Sequence, residues 1–83
     1  MPEEKIKDSL ENAKDKMTLL GIEEQLISEI EWCLGSYAHD GNADGLYVKG
    51  AEAHKALANF KDENPRKVSK KLLDDLEKAL KSQ

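Results

Sequence analysis

Apolar residues recur along this chain at steps of three and four, the spacing that lines one side of an α-helix. The first stripe is Ile6, Leu10, Ala13, Met17 and Leu20, and it predicts a helix over about residues 2–20. Pro2 suits a first helical turn, where its missing N–H is no loss, and Glu3 and Glu4 complement the positive end of the helix dipole. A second stripe, Ile22, Leu26, Ile30, Cys33 and Tyr37, widened by Ile27 and Leu34, predicts a helix over about 23–38. Gly21 ends the first helix or caps the second. The period breaks between residues 39 and 45, where Asp-Gly, Asn and a second Asp-Gly reverse the chain. A third stripe, Leu46, Gly50, Ala53, Leu57 and Phe60, predicts a helix over about 46–61, and the small residues in and around it let a neighbouring helix approach closely. Asn64-Pro65 pairs a cap residue with a first-turn proline. It places the start of a fourth helix, carrying Val68, Leu72, Leu73, Leu76, Ala79 and Leu80, at residue 65, and that helix runs to about 81.

Eighty-three residues make one domain with no room for a second core. Short links between helices favour antiparallel neighbours, so the pattern predicts an all-α fold, a small antiparallel helical bundle of four helices. The alternative is a three-helix core with the first helix loosely packed against it. A domain this small hides only roughly 60–65% of its unfolded surface, so a few kcal/mol of stability is expected unless it self-associates.

One residue departs from these stripes. At about 100° per residue, Trp32 falls nearly opposite the apolar stripe of the second helix, beside Gln25, Ser28, Gly35 and Ser36. Tryptophan is a usual anchor of protein interfaces. Trp32, with Ser28 and Ser36, therefore marks a candidate protein-interaction patch that docks a partner or a second copy. The competing expectation, and the favoured one, is that Trp32 packs on the first helix inside the bundle.

Composition fits a helical bundle with a well-solvated exterior, at 39% hydrophobic and 36% charged residues. Charge is unevenly spread. Residues 1–44 carry 4 basic against 11 acidic residues, and residues 45–83 carry 9 basic against 6 acidic. Attraction between the two halves inside the bundle is the simplest use of this asymmetry, and an acidic or polyanionic partner is the second. The cluster Arg66, Lys67, Lys70 and Lys71 belongs to that question. Placed near a helix N-terminus these cations oppose the dipole, and they are candidates for anion binding. The expectation preferred over that is pairing with Glu23, Glu24, Glu29 or Glu31 of the same molecule. A pI of 5.1 argues against nonspecific nucleic-acid binding.

Candidate chemistry is sparse. Asp40, Asn42 and Asp44, followed by Gly45, match the first half of an EF-hand calcium loop, with ligands at positions one, three and five. Position twelve, where a bidentate Glu closes such a site, is Ala51. The favoured expectation is a structural turn, with weak calcium binding as the alternative, and no cofactor otherwise. Cys33 and His39 lie six apart on nearly opposite sides of a continuous helix, which does not suit a nucleophile and its base. No zinc-type His/Cys spacing and no glycine-rich phosphate loop is present, so no enzyme is expected. The lone Cys33 excludes an internal disulfide and fits a reducing compartment. The charged N-terminus resembles no signal peptide, and no apolar run approaches the ~20 residues a membrane crossing needs. The expectation is a cytoplasmic, non-catalytic interaction or adaptor module with an unknown protein partner or a homodimer, and with no membrane association.

Overall fold

The computed structural model describes residues 2–82, and all its regular structure is helical: α1 (Pro2–Leu20), α2 (Glu24–Asp40), α3 (Asp44–Glu63) and α4 (Lys70–Lys81). The first stripe is buried as its spacing requires, with Ile6, Leu10, Ala13 and Met17 all fully enclosed. Leu46, Gly50, Ala53 and Leu57 of α3 do the same from the facing side, and Leu76 and Ala79 of α4 complete the core.

α1 and α3 touch each other, and each touches both α2 and α4, while α2 and α4 do not meet. The section of the bundle is therefore a rhombus with α1 and α3 across its short diagonal. Small residues set that diagonal. A Cβ on Gly50 would sit 3.0 Å from Ile6 Cδ1 of α1 and 3.0 Å from Leu80 Cδ2 of α4, so only a glycine lets the three helices close this far. The Cα atoms accordingly span 37 × 24 × 15 Å, a flattened body.

The loosely packed helix is α2 and not α1, which corrects the three-helix alternative. α1 sits at the centre and seals four stripe residues, whereas α2 buries Ile30 alone. Ile22, Leu26, Cys33, Leu34 and Tyr37 are on the predicted face yet only partly covered. An edge helix with two neighbours cannot enclose a full stripe.

The links explain where the helices stop. Gly21, at φ 70, donates to Thr18 O at 3.2 Å while Ile22 N–H bonds Met17 O at 3.1 Å, the paired bonds of a Schellman cap. Glu23 follows at φ 56, a left-handed conformation that a side chain resists, and caps α2 without a side-chain hydrogen bond. Gly41, at φ 74, closes α2 with a 2.7 Å bond to Tyr37 O. α2 and α3 both run two residues further into their link than the pattern implied.

α4 begins at Lys70, five residues after the predicted start. Asn64 ends α3, its N–H on Phe60 O at 2.9 Å, and Pro65, Arg66 and Lys67 make a turn. Ser69 is the N-cap, its Oγ accepting from Leu72 N–H at 3.1 Å. Buried Val68 precedes the cap at the position of a hydrophobic staple and pins the turn to the core. Among the described residues no helix is long and apolar enough to cross a membrane.

Candidate interaction surface

Trp32 is 74% exposed, so the expectation that it packs on α1 is overturned. Its helix touches only α1 and α3, and Trp32 is not among the side chains packed on the core. Ser28 beside it is exposed and Ser36 half-buried. With Cys33, Ser36, Asp40, Asn42 and Gly45, Trp32 borders a shallow depression of about 140 Å³.

The seam between α2 and α3 fixes what surrounds this tryptophan. Gly45 lies against Cys33, since a Cβ built there would meet Cys33 Sγ at 3.3 Å. One turn along, Lys49 Nζ bonds Glu29 Oε1 at 2.9 Å and Glu52 Oε2 at 3.0 Å, and Gln25 Nε2 donates to Glu29 Oε2 at 3.3 Å. These hydrogen bonds, Lys49 first and Gln25 second, hold the Glu29 carboxyl below its usual value of 4.5. The bond to Glu29, then that to Glu52, raises Lys49 above the ordinary ammonium value of 10.5. Across the seam from Trp32, Val48 is 60% exposed. Helical geometry puts both apolar side chains on the same outer face and at nearly the same level. Beyond them an open groove of about 570 Å³ runs between the helices, lined by Glu23, Glu29 and Glu52 and by Lys55. From residue 24 to residue 40, α2 carries four acidic side chains and neither Lys nor Arg.

The basic cluster lies elsewhere. Arg66, Lys67, Lys70 and Lys71 are all exposed, and none forms an ion pair among the described residues. Among the described residues no pair forms with Glu23, Glu24, Glu29 or Glu31, and α4 does not meet α2, which keeps Lys70 and Lys71 from the carboxylates of that helix. Arg66 and Lys67 occupy the turn before α4, and only Lys70 and Lys71 sit in its first turn. Near them Leu19 is 78% exposed and, with Asp15, Lys16, Ser69 and Leu72, borders an open depression of about 340 Å³. The spacing had offered a hint, since adjacent Leu19 and Leu20 cannot both face a core; likewise Val48 falls outside the α3 stripe.

The half calcium motif is occupied by local bonds. Asp40 Oδ1 accepts from Asn42 N–H at 2.9 Å, and Asn42 Oδ1 accepts from Asp44 N–H at 3.0 Å. α3 starts at Asp44, so from position five onward the segment is helix, whereas a calcium loop wraps twelve residues round the ion. Cys33 is half-buried in the seam and His39 is exposed at the end of α2. Among the described residues no three His, Cys, Asp or Glu side chains converge as a ligand set. No protein-family model, curated protein or solved structure matches the chain.

Proposed function

We propose that this protein is a small non-catalytic interaction module whose docking surface is the outer face of α2 and the α2–α3 groove around Trp32. The observation that carries it is a tryptophan left 74% exposed on the edge helix of an otherwise well-closed core. An exposed Trp gives up apolar burial that a bundle of this size needs, and its side chain is of the kind that anchors interfaces. Val48 is a second exposed apolar side chain on the outer side of α3, and α2 itself carries four acidic residues and neither Lys nor Arg. The net acidic charge of α2 favours a cationic partner segment, and the indole suits an apolar or arginine side chain lying on it.

The test is Trp32→Ala, compared with the parent protein in affinity capture from the cells that make it. Because Trp32 touches little of the core, the variant should keep its helicity and lie within about 0.5 kcal/mol of the parent in urea. A bound protein, copies of the chain itself included, should be lost with the variant. Capture unchanged by the substitution refutes the assignment of this face, and loss of the fold shows that Trp32 is structural.

A further inference from the structure

We propose that the partner of the Trp32 face is a second copy of this chain, which docks by its opposite side, the α1–α4 seam carrying Leu19 and the basic turn. This rests on the Trp32 face being the docking surface. The two sides are complementary in charge and in apolar content. One presents an indole on a helix with four acidic side chains and neither Lys nor Arg; the other presents the four cations of residues 66–71, adjoining in sequence Ser69 and Leu72 of a depression that Asp15, Lys16 and Leu19 also border. From Pro65 to Lys71 there is no acidic residue, and Arg66, the single arginine of the chain, is there to stack on an indole.

Neither side suits a copy of itself. Setting α2 against α2 opposes carboxylates to carboxylates, and the basic turn against itself opposes cations, both of which are repulsive. Nor does either find the other within one molecule, because the α2–α3 and α1–α4 seams open on opposite sides of the rhombus. The pairing that remains is between molecules and heterologous. Contacts made by opposite faces of one body propagate instead of closing, so the copies stack head to tail. A standard stable interface needs about 800 Å² from each partner, a sizeable share of the 5371 Å² this chain exposes, so the contact is weak and salt-sensitive.

The experiment is sedimentation of the full chain over a range of concentrations in low salt and in about 0.5 M salt, where screening is nearly complete. In low salt the average mass should rise with concentration above the 9.3 kDa of one chain. In high salt the apparent Kd should weaken by about tenfold or more. Two variants then separate the faces: Trp32→Ala with Glu31→Lys, and Leu19→Ser with Lys67→Glu and Lys71→Glu. All five positions are exposed, so circular dichroism should report parental helicity for both. Each variant alone should be monomeric, and an equimolar mixture should form a 1:1 dimer, because each supplies the face the other lacks. A parent chain that stays at one mass in low salt overturns the proposal, and so does a mixture that fails to pair. Either result leaves the Trp32 face to be judged by its own capture test. A monomeric chain whose basic variant alone loses binding to a short single-stranded oligonucleotide also overturns it, and assigns the cations to nucleic acid.

Discussion

Replacing Gly50 by alanine tests the short diagonal of the rhombus directly. The added Cβ lies 3.0 Å from Ile6 Cδ1, 3.0 Å from Leu80 Cδ2 and 3.8 Å from Leu76 Cδ1, so the terminal methyl groups of Ile6 and Leu80 must give by a few tenths of an ångström in a closed core. Overpacking of this kind costs about 1–3 kcal/mol. Alanine regains about 1 kcal/mol of helix propensity, so the net loss is about 1 kcal/mol. Gly35 provides the control: it lies in α2 with nothing within 4 Å of its added Cβ, so Gly35→Ala should keep the propensity gain and stabilise by about 1 kcal/mol. The two substitutions are chemically identical and should differ by about 2 kcal/mol. For a domain of this length that separates their melting temperatures by about 8–16 °C. Urea and thermal unfolding followed by circular dichroism measure both. Equal stability of the two variants, or a Gly50→Ala protein more stable than its parent, refutes the close approach of α1, α3 and α4.

Three further outcomes are expected. Ser69→Ala should cost about 1 kcal/mol while Asn64→Ala costs less, since Ser69 is the cap of α4; the reverse order in urea denaturation would restore the earlier helix start. The Glu29 carboxyl lies below its usual value in the folded state, so its contribution is full above pH 4.5 and is lost as pH falls through its folded value. Amides of α2 should then lose exchange protection in acid ahead of those of α1 and α3, and Glu29→Gln should abolish that pH dependence. Titrating metal-stripped protein with calcium should give no saturable NMR shifts centred on Asp40 to Gly50; saturable shifts there would make the loop a metal site despite Ala51.

The stripes of α1 and α3 were legible because period and burial coincide there: Ile6, Leu10, Ala13 and Met17 are all enclosed. The stripe of α2 named the right face but not its depth, which depends on how many helices stand against it. The same limit applied to Trp32. Its position off the stripe follows from periodicity, whereas its exposure follows from α2 lying at the edge. Asn64-Pro65 misled because asparagine caps either end of a helix, and here it terminates α3. The charges of the basic cluster were plain in sequence; their lack of partners required knowing that α2 and α4 never meet. Asp40 and Asn42 spelled half a ligand set, and the same short side chains serve backbone N–H groups two residues on.

α2 is joined to the rest of the molecule at both ends by residues in left-handed conformations, Gly21 and Glu23 before it and Gly41 after it. Ile30 is its single enclosed residue, and Leu26, Ile27, Cys33, Leu34 and Tyr37 pack against the core partly covered. α2 is thus an edge element with a left-handed link at each end, packed on α1 and α3. This element carries Trp32. The surface proposed to recognise a partner therefore lies on the helix with the fewest enclosed side chains, and any partner that bridges α2 to α3 stabilises its packing by mass action.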